Sequence, residues 1–352
     1  GYDFSKDDKN EKISPSEAIG VVTVESVGES STQMVLNVFH AAGVSEMQVT
    51  QGLPRLIEIL DARKKPSTPS MSIYLDSKHN NEKDSRIVAE KIRQIKLKDI
   101  ISEISIDFTN KRIGVEIDEK ALKNVHINVD KVIDVIKDKS FKVNKRTGGF
   151  SIDMSDKSFK EIYKIKEKLK DSILSGVKGI EQVLVVKRDR DYVIQTAGSN
   201  LKEILKFKGV NVNKVFTNDP HEVAAVLGIE AAREAIVNEI QQVLISQGLD
   251  IDKKHLMLIA DLMTSSGIVK GITRMGIISD KSSVLARASF ETPIKNFVKA
   301  TKTGIKDKLA SVIENIILNQ PVPVGTGLPG LLVKVTGPLV NEQYNKSEKK
   351  KQ

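Results

Sequence analysis

The sequence predicts an α+β fold assembled from several parts rather than one compact sheet or bundle. Apolar residues recur at helical spacing between residues 14 and 60 and again from about residue 210 onward. Between residues 80 and 209 the pattern changes to short alternating segments, the period of strands mixed with brief helices. Glycine, proline and charge separate these stretches. The expected organisation is a lead-in helix, a helical hairpin and a first strand over 1–80, and an α+β module over 81–209. A largely helical part follows over 210–340, and a charged tail over 341–352.

The elements follow in order. Ser14 and Glu17 have capping-box spacing and Pro15 suits a first helical position, so a helix is expected from there to Gly28, where it is interrupted. "TQMVLNVFHAAGV" begins a second helix, closed by Gly43. After "SEMQVTQG", the segment "LPRLIEILDARKKP" reads as a third helix with Pro54 near its start and Lys64 and Lys65 at its cationic end. "STPSMSIYL" is a turn followed by a strand. In the middle part, a helix at 84–96, strands in "ISEISIDF", "RIGVEID" and "GGFSIDM", and helical "DEKALKN" and "NVDKVIDVIKD" are expected. A lysine-studded helix at 157–170 and a strand pair "IEQVLVVKR" and "DYVIQTAG" complete it. "DPHEVAAVLGIEAAREAIVNEIQQVLISQG" and "KKHLMLIADLMTSSG" are the strongest helical segments beyond 210.

Composition excludes several classes. The 352-residue chain has no cysteine and no tryptophan, which removes disulfide frameworks, thiolate zinc sites and thiol nucleophiles. No apolar run reaches membrane-spanning length and no signal peptide precedes the charged start, so a cytoplasmic location is expected. The chain begins at Gly1 rather than Met, so the native N-terminus is expected to be processed or to lie upstream. The net charge of +9 is uneven: residues 1–80 carry 8 basic and 11 acidic groups, and residues 81–210 carry 29 and 21. A basic middle segment fits proximity to nucleic acid, and equally a solvated lysine-rich surface.

Standard catalytic motifs are missing. "LDIDKKH" brings Asp250, Asp252 and His255 together, but Asp252 is better read as the N-cap of a helix starting at Lys253 than as a metal ligand. Asp189 and Asp191 read as a hairpin turn. His79, His126 and His221 fall in loop or cap contexts. No HExxH, Walker A, GxGxxG or GxSxG pattern occurs. The stretch Thr32–Val44 differs. Val35, Val38, Phe39 and Ala42 make one helical stripe, suited to burial, and Gln33, Leu36, Asn37 and His40 make the opposite one. Amides can bond sugar hydroxyls, leucine can pack on a flat base, and an imidazole one turn further can reach a phosphate. A surface helix ordinarily carries lysine and glutamate there instead.

"TQMVLNVFHAAGVSEMQVTQGLPRLIEILDARKKPSTPSMSIYL" closely resembles the trigger-loop region in the largest subunit of multisubunit DNA-directed RNA polymerases, and "GVVTVESVGESS" resembles the lead-in helix of the same family. Far downstream, "VFTNDPHEVAAVLGIEAAREAIVNEI", "HLMLIADLMTSSGIVKGITRMGI", "ARASFETPIKNFVKAT" and "ENIILNQPVPVGTG" resemble its C-terminal cleft and clamp base, in the same order. The middle module corresponds to the jaw by position and α+β character. The aspartate-rich D-x-D-x-D loop that holds catalytic magnesium in this family does not occur here. Starting just before the trigger loop and lacking that motif, the chain is similar to the archaeal A-double-prime form, in which the largest subunit is split.

The resemblance implies a subunit of DNA-directed RNA polymerase, inactive alone, whose trigger loop closes over the incoming NTP. It implies Mg2+ held by the A-prime partner. The other implied partners are the second-largest (B) subunit, smaller polymerase subunits, the DNA template and the RNA product. By position Gln33 and Asn37 correspond to ribose-sensing residues, Leu36 to the residue stacking under the base, and His40 to the one approaching the β-phosphate. Arg274, in "GITRMG", is similar to a switch residue near the template strand, or is a plain surface arginine. Three positions depart from the family: Glu25 where glutamine is usual, Ser30 for proline, and Met275 for histidine. The competing reading is a non-catalytic DNA- or polymerase-binding interaction protein.

Overall fold

The computed structural model describes residues 17–36, 52–76, 80–107, 112–118, 132, 142–146, 149–153, 159–188, 191–290 and 292–327. The expected Gly43 helix end, the segment "SEMQVTQG" up to Gln51, and the helices "EKALKN" and "DKVIDVIKD" (apart from Val132) lie outside the described residues.

Helix α1 (Ile19–Leu36) starts later than the capping-box spacing predicts, because Glu17 and Ala18 precede it in non-helical conformation. Ser14 and Pro15 lie outside the described residues. Nor does Gly28 interrupt it: the helix runs through that position as one element. A lone helical glycine costs only about 1 kcal/mol relative to alanine, which packing on one face outweighs. That face is Thr23, Val27 and Met34, all buried, at spacings of four and seven.

Helix α2 (Leu53–Leu60) has Pro54 in its first turn, where the missing N–H is harmless. It ends at Leu60, earlier than expected, so Lys64 and Lys65 lie past the helix rather than on its last turn. Strand β1 (Ser70–Leu75) follows, with Met71, Ile73 and Leu75 buried and alternate residues half-buried, the two-residue period of a strand with one face on the core.

Helix α3 (Glu82–Ile92) is shorter than the 84–96 reading at its end, because Ile95–Lys96 forms a short strand, β2. Strands β3 (Ile101–Asp107) and β4 (Arg112–Ile117) follow as expected. Two further strands are β5 (Lys142–Arg146) and β6 (Gly149–Asp153). Then come helix α4 (Phe159–Lys170), strand β7 (Ile173–Ser175) and the hairpin β8 (Gln182–Arg188) and β9 (Asp191–Ala197). A short helix, α5 (Leu201–Ile204), leads to strand β10 (Val210–Thr217). This strand corrects the expectation of helix from residue 210: "VNVNKVFT" alternates in strand fashion and pairs antiparallel with β1, Met71 opposite Thr217.

Two cores result. The antiparallel sheet β10-β1-β9-β8 draws its strands from widely separated parts of the chain. Its inner face, with Met71, Ile73 and Ile194, belongs to one large cluster that also holds Val27, Met34, Leu56, Ile236 and Leu256. The second sheet, β3-β4-β6-β5, packs Ile113, Val115, Phe150 and Ile152 against Ile162 and Leu169 of α4. Pairing of β2 with β7 draws the two ends of that second unit together, Ile95 opposite Ser175.

The remaining helices are α6 (Pro220–Val226), α7 (Ile229–Ser246) and α8 (Lys253–Thr264), then α9 (Val284–Phe290), α10 (Pro293–Thr303) and α11 (Val312–Ile317). Asp219 caps α6, accepting from the N–H groups of His221 and Glu222, and Asp252 caps α8, accepting from Lys254 N–H at 2.9 Å. Gly228, at φ 101°, makes the sharp break between α6 and α7 that a side chain would oppose.

Candidate functional site

The two stems of the N-terminal hairpin are fixed to the body in different ways. Helix α1 packs on α8 and α2, and the Thr23 hydroxyl lies 2.9 Å from His255 Nδ1. Helix α2 is fixed by a buried polar network. Arg55 donates to Glu58 at 2.7 Å, to the Asn218 carbonyl at 2.6 Å and to Glu239 at 2.9 Å. Glu58 accepts in addition from the Ser67 N–H and hydroxyl. Asn218 closes the set, accepting from Ser70 N–H and donating to the Thr68 carbonyl. Every charge in the group is partnered, as a buried ion group must be. Burial pushes the Glu58 carboxyl up, but the hydrogen bonds from Arg55 and Ser67 outweigh it and hold the group below the ordinary carboxylate value.

The far end of α2 carries a second feature. Ile272 N–H donates to the Leu60 carbonyl at 2.8 Å, and Gly271 lies so close to Asp61 that a Cβ there would sit 2.2 Å from its carbonyl oxygen. Only glycine fits. The loop then turns back on itself, Ile277 N–H donating to the Gly271 carbonyl, and Lys270 pairs with Asp280 at 2.5 Å. Arg274 and Met275 stand exposed at its tip. Residues some 200 positions apart thus form one structure, the hairpin stem and the Arg274 loop.

Of the predicted site residues, Gln33 is exposed on the last turns of α1, beside the buried Met34. Leu36 is the last residue of that helix, and Asn37 and His40 lie outside the described residues, as do Val38, Phe39 and Ala42 of the expected packing stripe. Asp252 acts as a cap, His255 meets Thr23, and His221 Nε2 meets the Ala62 carbonyl at 2.9 Å. Asp191 opens β9 beside the turn and accepts from Asn80, while His79 and His126 lie outside the described residues. Among the described residues no group of three or more His, Asp or Glu side chains is placed to hold a metal ion.

The network around Arg55 is what sequence reasoning missed. Its signal was slight: Arg55 and Glu58 are three apart and alternate with the buried Leu56 and Ile59, while the apolar Ile57 is exposed. Their other partners, Asn218 and Glu239, come from a distant part of the chain.

Residues 4–285, most of the chain, match the family described as RNA polymerase Rpb1, domain 5. The chain belongs to that family. It is therefore part of the largest subunit of a DNA-directed RNA polymerase, the multisubunit nucleotidyltransferase of transcription, which acts on DNA. Among the described residues no helix is long and apolar enough to cross a membrane.

Proposed function

We propose that this chain supplies the trigger loop of an archaeal-type A-double-prime subunit, with a jaw and clamp-base surface around DNA, and that its hairpin closes over the incoming NTP. The observation that carries the reading is the placement of Gln33. It is exposed at the end of an anchored helix, off the buried stripe, directly ahead of Leu36, Asn37 and His40. The helices on either side of residues 37–51 are both tied to the body, α1 through Thr23 and α2 through Arg55.

In the closed state Gln33 and Asn37 hydrogen-bond the ribose hydroxyls, Leu36 packs under the base and His40 meets the β-phosphate. Phosphoryl transfer depends chiefly on positioning and charge stabilisation, so a lid that completes the site accelerates it. Mg2+ takes part in this chemistry and is assigned to the A-prime partner, because the aspartate-rich D-x-D-x-D motif does not occur in this sequence. The B subunit and smaller subunits complete the complex, and Arg274 faces the template strand. The basic helix α4, with Lys160, Lys164 and Lys168 exposed, faces downstream DNA.

The test is single-nucleotide addition by rapid quench in the reassembled enzyme at saturating NTP. Leu36→Ala should slow correct addition severely although leucine has no acid–base chemistry. If His40 acts by position, His40→Gln should retain more activity than His40→Ala. A general acid would make both variants similarly poor, by roughly 100-fold. The chain alone should show no template-dependent extension. Near-normal rates in both Leu36→Ala and His40→Ala would overturn the trigger-loop reading. Robust extension by the chain alone would favour a free-standing enzyme.

A further inference from the structure

We propose that Thr23 and His255 are positioning residues for nucleotide addition: their hydrogen bond is the polar anchor that seats α1 on α8 and so sets where its Gln33 end stands. The inference rests on the trigger-loop reading and adds residues that the reading does not use. Five hydroxyls line α1 between residues 23 and 32. Four of them stay on their own helix: Ser26 donates to the Val22 carbonyl, Ser30 to Ser26, Ser31 to Val27 and Thr32 to Gly28, at 2.7–3.2 Å. The Thr23 hydroxyl instead leaves the helix and meets Nδ1 of His255, at the start of α8, 2.9 Å away. Thr23 is 2% exposed, while Val21, Val22 and Val24 around it are 51%, 43% and 68% exposed. At this level Thr23 is therefore where α1 touches the body.

Above that point Val27 and Met34 carry the same face into the core, 6% and 3% exposed. Beneath it, α8 is rigid: Leu256, Ala260 and Met263 are completely buried and Asp252 caps its start. Of these contacts the Thr23–His255 hydrogen bond is the polar, directional one, so it sets the position in which α1 presents Gln33. Thr23 is buried against α8, so its effect on nucleotide addition passes through the position of Gln33 and Leu36.

The experiment uses the assembled polymerase, with Thr23→Val, Thr23→Ser, His255→Phe and the Thr23→Val/His255→Phe pair, in single-nucleotide addition over an NTP titration. Loss of one neutral hydrogen bond from the closed state predicts a maximal rate roughly 5-fold lower in Thr23→Val. KM should change by less than about 2-fold, since closure follows binding. Thr23→Ser, which keeps the hydroxyl, should return close to the unmodified rate, and the double variant should be no slower than the slower single one. The chain has no cysteine, so a spin label on Glu29→Cys, attached before assembly, reports α1 directly. Its mobility should rise with Thr23→Val and not with Thr23→Ser.

An unchanged rate and label mobility in Thr23→Val, with Leu36→Ala still severely slow, would overturn the anchor and leave the trigger-loop reading standing. Near-normal rates in both would overturn that reading itself. Equal slowing by Thr23→Val and Thr23→Ser would assign the effect to packing and reject the hydrogen bond.

Discussion

Helices α7 and α10 answer the same question in opposite ways. Both carry isoleucine, valine and polar residues at helical spacing. Helix α7 places Ala232, Ile236, Val237, Ile240, Val243 and Leu244 in the large core, packed between α6 and α8. Helix α10 buries none of its residues: Ile294 is 79% exposed, and Phe297 and Val298 are about half exposed. Its neighbour α11 leaves Ile316 and Ile317 equally open. Beyond the buried Val284, Ala286 and Ala288 of α9, the ends of these helices are finished by polar contacts. Asp307 reaches back to accept from the Ser283 hydroxyl and the N–H groups of Val284 and Leu285, capping α9 from a distant loop. Glu314 and Ser311 form a capping box at α11. One region of the chain completes its own core, and the other is a surface finished by hydrogen bonds. In a subunit of a multisubunit enzyme the second kind of region is where neighbouring chains belong.

Breaking the self-contained region should have the largest effect. Arg55→Met leaves Glu58 and Glu239 without their guanidinium and should cost about 3–5 kcal/mol in urea unfolding of the chain. Ile236→Ala opens a cavity at a fully buried site and should cost about 2–5 kcal/mol. The Glu58 carboxyl is held low in the fold, so its contribution is complete above the unfolded value near pH ~4.3 and is lost as pH falls through the lower folded value. The urea midpoint should therefore drop on acidification below about pH 4, and Glu58→Gln should flatten part of that drop. Asp307 and Glu314 are lowered too; burial pushes each up, and their hydrogen bonds prevail, so an acid slope remains in Glu58→Gln.

Effects in the second region should be smaller in the isolated chain. Asp307→Ala removes a cap and should cost about 1 kcal/mol, read most clearly as faster amide exchange in residues 284–290. Phe297→Ala should cost no more than about 0.5 kcal/mol alone, yet lower the yield of assembled polymerase. A large loss of stability from Phe297→Ala in the isolated chain would erase the contrast. The smallest effect concerns the basic helix α4: replacing Lys160, Lys164 and Lys168 by glutamine should make binding to long downstream duplex less salt-dependent.

The same contrast governs what was legible beforehand. Strand β4 and helices α7 and α8 were readable because each buries one face within its own length, and burial imposes a period; β3, β6, β8 and β9 were readable from their short runs of isoleucine, valine and phenylalanine. Strand β10 was hidden because asparagine and lysine dilute its apolar alternation, and its partner β1 lies far upstream. The continuity of α1 through Gly28 was hidden because only Thr23, Val27 and Met34 hold it down. At the candidate site, the Gln33/Leu36/Asn37/His40 spacing stood out as an unusual outward face. The Arg55 network and the seat of the Arg274 loop on Asp61 did not, since long-range pairing leaves no local pattern.

The central claim is that residues following Gln33 close on the NTP while the stems stay fixed. Amide hydrogen exchange in the assembled elongation complex tests it most directly, with RNA ended in a 3′-deoxynucleotide so that NTP binds without reacting. The account predicts that cognate NTP slows exchange across residues 33–45 by roughly 10-fold or more, the mark of amides brought under protection by the bound nucleotide. A mismatched NTP should not do so, and exchange in α2 and α8 should stay unchanged. Identical exchange across residues 33–45 with and without cognate NTP would contradict it.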